Sequence, residues 1–278
     1  MSTSYRALRF SPAILLLACA LSACGGGSSS SSDTTAVVNP PPPVTPPAAT
    51  GDTGSVSAAY VQGASPRYML LNVASQSTGI LTRVTQGSSG ALSVIADSSF
   101  SGTPAITREI SGDASFAQGR WFSGTITNAS GATVLSGNNA SAHYSVYNAV
   151  AALPTSGSLQ CDGGSYTAPS YTGGASVQPA AYFGTASGSA SVVFGPSGAV
   201  LSMTVDATAG GSTGRISGTG TMSRPDMSLI GGGFLGGDSG TLLALGDGGA
   251  GRYLLTGGYK LVLANGANYQ GIATFRCS

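Results

Sequence analysis

Between Val200 and Asp206 hydrophobic and polar residues alternate one by one, with Leu201, Met203 and Val205 on one face and Ser202, Thr204 and Asp206 on the other. A period of two is the mark of a strand that turns one face to a core and the other to water. Segments of similar character, rich in Val, Ile, Leu, Tyr and Thr and set between Gly, Ser and Asn turns, recur through the chain. They lie at Arg67 to Ala74, Ile80 to Thr85, Leu92 to Asp97, Gln118 to Ile126, His143 to Asn148 and Ala190 to Phe194, and again at Arg215 to Met222, Thr241 to Leu245, Arg252 to Leu263 and Tyr269 to Arg276. No sustained 3.6-residue periodicity appears, so the pattern predicts an all-β chain. Many short strands favour a barrel or a sandwich. Glycine inside strand-like stretches, as in Ile216-Ser217-Gly218-Thr219-Gly220-Thr221, marks the bends and close packing of a small antiparallel β-barrel. The stretch from Ala149 to Gly188, with Pro154, Pro169 and Pro179, is less regular and admits a division near residue 150 between an N-terminal β subdomain and a C-terminal barrel. No fixed-period repeat marks a solenoid or propeller.

The first fifty residues follow another logic. Arg6 and Arg9 precede an apolar stretch from Ala13 to Leu21 that is too short to remain as a membrane helix, the arrangement of a secretory signal. The signal ends in Leu21-Ser22-Ala23-Cys24, which resembles the bacterial lipobox: an aliphatic residue, two small ones, then the cysteine that receives lipid before cleavage. Residues 1–23 are thus expected to leave as a signal peptide, and Cys24 to become the lipidated N-terminus carrying palmitate. Cys19 fits less well, because bulky Leu17 stands where a small residue is preferred. Gly25 to Gly27, Ser28 to Ser32 and the proline-rich run from Pro40 to Pro47 cannot bury apolar surface, so residues 24–52 read as a disordered tether holding a β-rich domain, 53–278, away from a membrane. Gly25 is not the aspartate that often retains bacterial lipoproteins in the inner membrane, so the resemblance implies the outer membrane.

Composition narrows the chemistry. Only 8% of the 278 residues are charged, with 11 Lys+Arg against 10 Asp+Glu, and 43 are glycine, whereas a globular domain carries about 25% charge and about 7% glycine. A balance this near neutrality carries no footprint for nucleic acid. One glutamate (Glu109), one lysine (Lys260) and one histidine (His143) leave little of the usual catalytic repertoire, and no cofactor or metal is expected. The mature domain keeps two further cysteines, Cys161 and Cys277. In an exported protein they are expected to form a disulfide, since alternation lets both thiols point inward. They lack the close spacing of a redox-active Cys-X-X-Cys pair.

Gly237-Asp238-Ser239-Gly240 matches the short sequence around the nucleophile of chymotrypsin-like serine proteases. With His143 as base and Asp162 or Asp206 as the orienting acid, it would supply the parts of a hydrolase. Thr241 and Leu242 depart from the glycine and proline that usually follow, and Ser141-Ala142-His143-Tyr144 lacks the usual Ala-Ala-His-Cys setting, so the plain reading of His143 is a partly exposed strand residue. Gly210-Gly211-Ser212-Thr213-Gly214 fits Gly-X-Ser-X-Gly but precedes a strand rather than a helix, and reads as a turn. The glycine runs at 231–237 and 246–251 lack the Gly-Lys-Ser/Thr ending of a phosphate loop and also read as turns. Asp238 and Asp247 offer at most a weak calcium site. Trp121, Tyr144, Tyr147, Tyr166, Tyr171 and Tyr182 are expected to be packing residues rather than a binding surface.

Leu153-Pro154-Thr155-Ser156-Gly157-Ser158-Leu159, the stretch from Tyr166 to Pro169, and Gly188 to Phe194 leading into the Val200 to Asp206 alternation together resemble the β-barrel domains of bacterial lipoproteins related to transferrin-binding protein B. The resemblance covers roughly Arg120 to the terminus. Its Gly-X-Phe-X-Gly-Pro signature is only partly echoed by Gly232-Gly233-Phe234-Leu235-Gly236-Gly237, and no transferrin-contacting residue carries across. The leading expectation is therefore a non-enzymatic, lipid-anchored envelope protein whose barrel serves binding or structural contacts. Its partners would be the membrane, through its lipid, and a protein that the sequence does not identify. Two other classes stay open. One is a serine hydrolase using Ser239 and His143, which requires the two side chains to approach beside a cleft. The other is a surface adhesin, which requires cleavage by protease added outside intact cells.

Overall fold

A computed structural model of the chain describes residues 51–72, 75–137 and 141–278. The alternating segments become strands of three sheets. The first sheet contains β1 (Pro66–Asn72), β2 (Gln76–Ile80), β3 (Val84–Gln86), β4 (Leu92–Ile95), β5 (Ser98–Asp113), β6 (Phe116–Asn128), β7 (Gly131–Leu135) and β8 (Ala142–Asn148). Its order is β2-β1-β8-β6-β5-β4-β3, with β7 also on β6, and it curls as a half-barrel around a cluster that includes Leu70, Leu92, Phe100, Trp121, Tyr144 and Val146. The segment before β1 laces onto β5: Ile110 N–H donates to Thr53 O (2.9 Å) and Asp52 accepts from Thr107 N–H (2.9 Å).

The rest of the chain forms β9 (Gly157–Gln160), β10 (Ser165–Tyr166), β11 (Ser170–Gly174), β12 (Thr185–Gly195), β13 (Gly198–Ala209), β14 (Ser212–Met222), β15 (Ser228–Gly232), β16 (Gly240–Gly249), β17 (Arg252–Val262) and β18 (Ala267–Cys277). The second sheet runs β15-β16-β17-β18-β10, with β11 also on β18, and the third runs β14-β13-β12-β9. Every pairing between these strands is antiparallel. Both sheets contribute to one apolar core: Val192, Leu201, Met203 and Val205 from the third meet Leu243, Leu255, Tyr269 and Phe275 from the second. The result is an all-β, barrel-like body.

The two sheets meet along both sides. On one side Cys161, just past β9, bridges antiparallel to Cys277 at the end of β18, and the two are joined by a disulfide with a Cα–Cα distance of 3.9 Å. A bond spanning 116 residues removes unfolded-state entropy worth about 4 to 5 kcal/mol in the chain-entropy model. On the other side β14 lies across β15 and β16. Its inward face is Gly214, Ile216, Gly218 and Gly220, and a Cβ on Gly218 would stand 2.1 Å from Thr241 Oγ1. Glycine here is a requirement of close approach. The turn into β14 is Gly210-Gly211, both with positive φ (55° and 76°), as a two-residue hairpin between right-twisted strands demands.

The first sheet also packs on the outer side of the second, making three layers. Met69 and Leu71 of β1 meet Phe234, Leu242 and Ile272, and Phe116 and Tyr147 meet Ala244 and Leu254. As the middle layer, β18 is buried on both faces. The predicted strand from Ile80 to Thr85 is instead two: Ile80 ends β2, buried Leu81 turns inward between the strands, and Val84 begins β3. Among the described residues no helix is long and apolar enough to cross a membrane.

Candidate functional site

The residues singled out as hydrolase components lie apart. His143 points from β8 into the seam between the first and second sheets, where it is fully buried rather than partly exposed. Its Nδ1 lies 2.8 Å from Thr167 Oγ1 and its Nε2 lies 2.7 Å from Ser170 Oγ, both hydroxyls being buried as well. Thr167 Oγ1 in turn accepts the Ile272 N–H (2.9 Å), so the imidazole is wired into the backbone of β18. Burial holds its pKa well below the ordinary 6.5, and the nearby Arg120 guanidinium depresses it further. A neutral ring meets both hydroxyls with one donor and one acceptor.

Ser239 stands in the turn between β15 and β16, its carbonyl accepting Gly233 N–H at 2.8 Å, on a groove shared with Gly218 and Thr241. Asp162 accepts the backbone N–H groups of Gly164 (3.0 Å) and Arg276 (2.9 Å), while Asp206 pairs with Arg215 at 2.6 Å. With both His143 nitrogens held by other hydroxyls and both aspartates otherwise engaged, the geometry does not assemble a serine, histidine and acid.

Beside His143 sits a charged pair that sequence reading does not single out. A β-bulge in β5 places Glu109 at φ 50°, and its carboxylate grips Arg120 of β6 through two hydrogen bonds of 2.7 Å. The guanidinium also donates to Ser141 Oγ (3.0 Å) and lies 4.5 Å from the centre of the Phe183 ring. Its side chain is 4% exposed and the carboxylate 28%. These contacts satisfy a buried cation and tie the first sheet to the segment after β11, a structural assignment.

No group of three or more His, Cys, Asp or Glu among the described residues is placed to hold a metal. Asp238 and Asp247 line separate clefts. Trp121, Tyr144 and Tyr147 are buried packing residues, and Tyr166 and Tyr171 pack at the barrel-like core's margin. The glycine runs at 231–237 and 246–251 form the ends and connections of β15, β16 and β17.

The feature best suited to binding is a cleft of about 390 Å³, bordered by β2, β11, the loop Gly236–Asp238 and the adjoining ends of β17 and β18. Its polar lining comprises Gln76, Thr172, Asp238, Lys260, Asn268 and Gln270. Lys260 and Gln270 are cross-strand partners on the face of the second sheet turned toward the first. Lys260 Nζ donates to Gly237 O (3.3 Å) and lies 5.8 Å from the centre of the Phe234 ring. Partial burial lowers its pKa below the ordinary 10.5, and the Asp238 carboxylate opposes that shift. Gln270 is fully buried, and neither its amide oxygen nor its nitrogen has a protein partner. Lys260 left one trace in the sequence, as the only lysine, set among the apolar, Gly and Thr residues that follow Arg252 in its strand. Gln270 left none, because an amide looks the same paired or unpaired.

The expected signal peptide, tether and lipidated Cys24 lie outside the described residues. Comparison with known protein families, with characterised proteins and with solved structures finds no match for this chain.

Proposed function

We propose that the chain is a lipid-anchored protein of the bacterial outer membrane whose β domain binds a ligand without catalysing a reaction. The observation that carries the anchor is Leu21-Ser22-Ala23-Cys24, set directly after an apolar signal and before a Gly/Ser/Pro tether. Binding is supported by the cleft between β2, β11 and the end of β17, whose polar lining includes Gln270, a buried amide with no protein partner. A non-enzymatic role is supported by the engagement of both His143 nitrogens with Thr167 and Ser170. From the resemblance to transferrin-binding protein B-type lipoproteins the proposal takes the anchored barrel and no ligand.

Metabolic labelling with a palmitate analogue tests the anchor. Wild-type chain should take up label and sediment with outer membranes, and Cys24→Ala should do neither. Equal labelling of the two would defeat the reading. A fluorophosphonate probe tests the other half, since covalent capture at Ser239 would return the chain to the hydrolases.

A further inference from the structure

We infer that the cleft around Lys260 and Gln270 binds a sugar acid, a ring carrying several hydroxyls and one carboxylate. The inference rests on the binding role proposed above and names its ligand class. Gln270 supplies the main constraint. Its amide is fully buried with both the oxygen and the nitrogen unpaired, and a group so placed needs a partner that donates and accepts side by side. A hydroxyl does both. Asn268 and Gln76 present further amides, and Thr172 a hydroxyl, around the same space.

Lys260 adds charge to that lining. It spends one of its three N–H donors on Gly237 O, which leaves two, and among the described residues that line the cleft it is the only cationic side chain. A neutral sugar would leave Lys260 answered only by the exposed Asp238 carboxylate, whereas a ligand carboxylate can accept its N–H donors directly. A phosphate-rich ligand would call for several cations or a bidentate arginine, and none lines the cleft. A fatty acid would need an apolar wall. A simple amino acid would spend its carboxylate on Lys260 and its ammonium on Asp238, and has no further groups for Gln270, Asn268, Gln76 and Thr172, which a ring with several hydroxyls supplies. Asp238 lies exposed at the mouth, where it accepts from ligand hydroxyls and repels a second negative charge. About 390 Å³ is ample for one such ring and its first linkage.

The test uses the full chain in mild detergent, titrated by calorimetry with galacturonic, glucuronic and N-acetylneuraminic acids. Galactose, glycine and inorganic phosphate serve as comparisons, and oligogalacturonate separates a free sugar acid from one within a glycan. At least one acid should bind about tenfold more tightly than galactose, the factor expected from one charge-assisted hydrogen bond. Lys260→Met should remove that preference and Lys260→Arg should keep most of it. Gln270→Leu should weaken the acid and galactose alike. Asp238→Asn should strengthen acid binding by a factor of about three by removing a like charge, a gain that a merely structural residue would not give. Urea midpoints of each variant report folding independently.

Saturable binding of phosphate or glycine at or above the affinity for every acid would overturn the inference. So would the absence of saturable binding by all three acids up to about 20 mM, well above the range of a useful site. Should Cys24 labelling succeed while these titrations fail, the anchored reading stands and the ligand class falls.

Discussion

His143 allows a sharp test of the buried seam, because it is the chain's only histidine. In the native protein the ring is fully buried, faces Arg120 and is kept neutral, so its pKa lies well below the ordinary 6.5 that it regains on unfolding. Between those two values the unfolded chain binds the extra proton. Stability from this group is therefore complete above the unfolded pKa and is lost as pH falls below it, at up to about 1.4 kcal/mol per pH unit. Integrated from pH 7.5 to pH 5.5, the loss is about 1.4 kcal/mol for an unfolded pKa of about 6.5.

Other shifted groups act in other windows. Asp113, where hydrogen bonds from Ser115 and Arg276 outweigh burial, and Asp206, hydrogen-bonded by Arg215, are both held below the ordinary 3.8. Their contributions disappear only as pH falls below that value. Urea unfolding at fixed pH, with a constant m-value, measures the effect. His143→Asn keeps a donor and an acceptor for the seam but does not titrate there. Its absolute stability will fall, yet its profile between pH 7.5 and 5.5 should be flat while wild type drops by about 1.4 kcal/mol. Parallel profiles would refute the buried neutral imidazole, as would ring nitrogen shifts that report a native imidazolium at pH 6.

Three further tests probe the architecture. Glu109→Gln leaves the Arg120 guanidinium short of a counter-charge and should cost about 2 to 3 kcal/mol in urea, less than a fully buried pair because the carboxylate retains 28% exposure. Gly218→Ala drives a methyl toward Thr241 and should cost about 1 to 3 kcal/mol, whereas Thr221→Ala on the exposed side of the same strand should cost under about 0.5 kcal/mol; equal costs would mean that β14 does not close on β16. Replacing Cys161 and Cys277 together by alanine should lower stability by about 4 to 5 kcal/mol, read as a fall in the thermal midpoint, and an unchanged midpoint would deny the disulfide its stabilising role.

What was legible in the sequence follows from what generates a pattern. Strands with one wet face announce themselves, and Val200 to Asp206 lies wholly within β13 with Leu201, Met203 and Val205 in the core as the alternation predicts. The sixteen-residue β5 carries no clear strand signal, because Gly102, Thr103 and Pro104 interrupt it and its bulge at Glu109 breaks the two-residue period that would reveal it. His143 reads as partly exposed in the sequence, and is buried in the structure, for a related reason. On β8 both faces are buried, one against the half-barrel cluster and the other against the second sheet, so the polarity of His143 reports its hydrogen bonds to Thr167 and Ser170 and not solvent. A cleft bordered by strands as distant in sequence as β2, β11 and β18 leaves no local signal at all.

The three-layer arrangement also decides where a ligand can sit. Small barrels hold ligands inside when their inward residues leave room, but here Phe194, Met203, Tyr259, Tyr269 and Phe275 belong to one packed apolar cluster that fills the space between the second and third sheets. Polar space arises instead on the opposite side of the second sheet, where it faces the first. On β18 the even-numbered positions show the change residue by residue: Ile272 packs with Met69 and Leu71, whereas Gln270 and Asn268, toward the start of the strand, line the cleft. On β17 the same face passes from Leu254 through Thr256 and Gly258 to Lys260. Substitutions at Lys260 or Gln270 therefore alter the cleft while the odd-numbered residues of both strands keep the apolar core intact, and this separation lets binding be dissected without dismantling the fold.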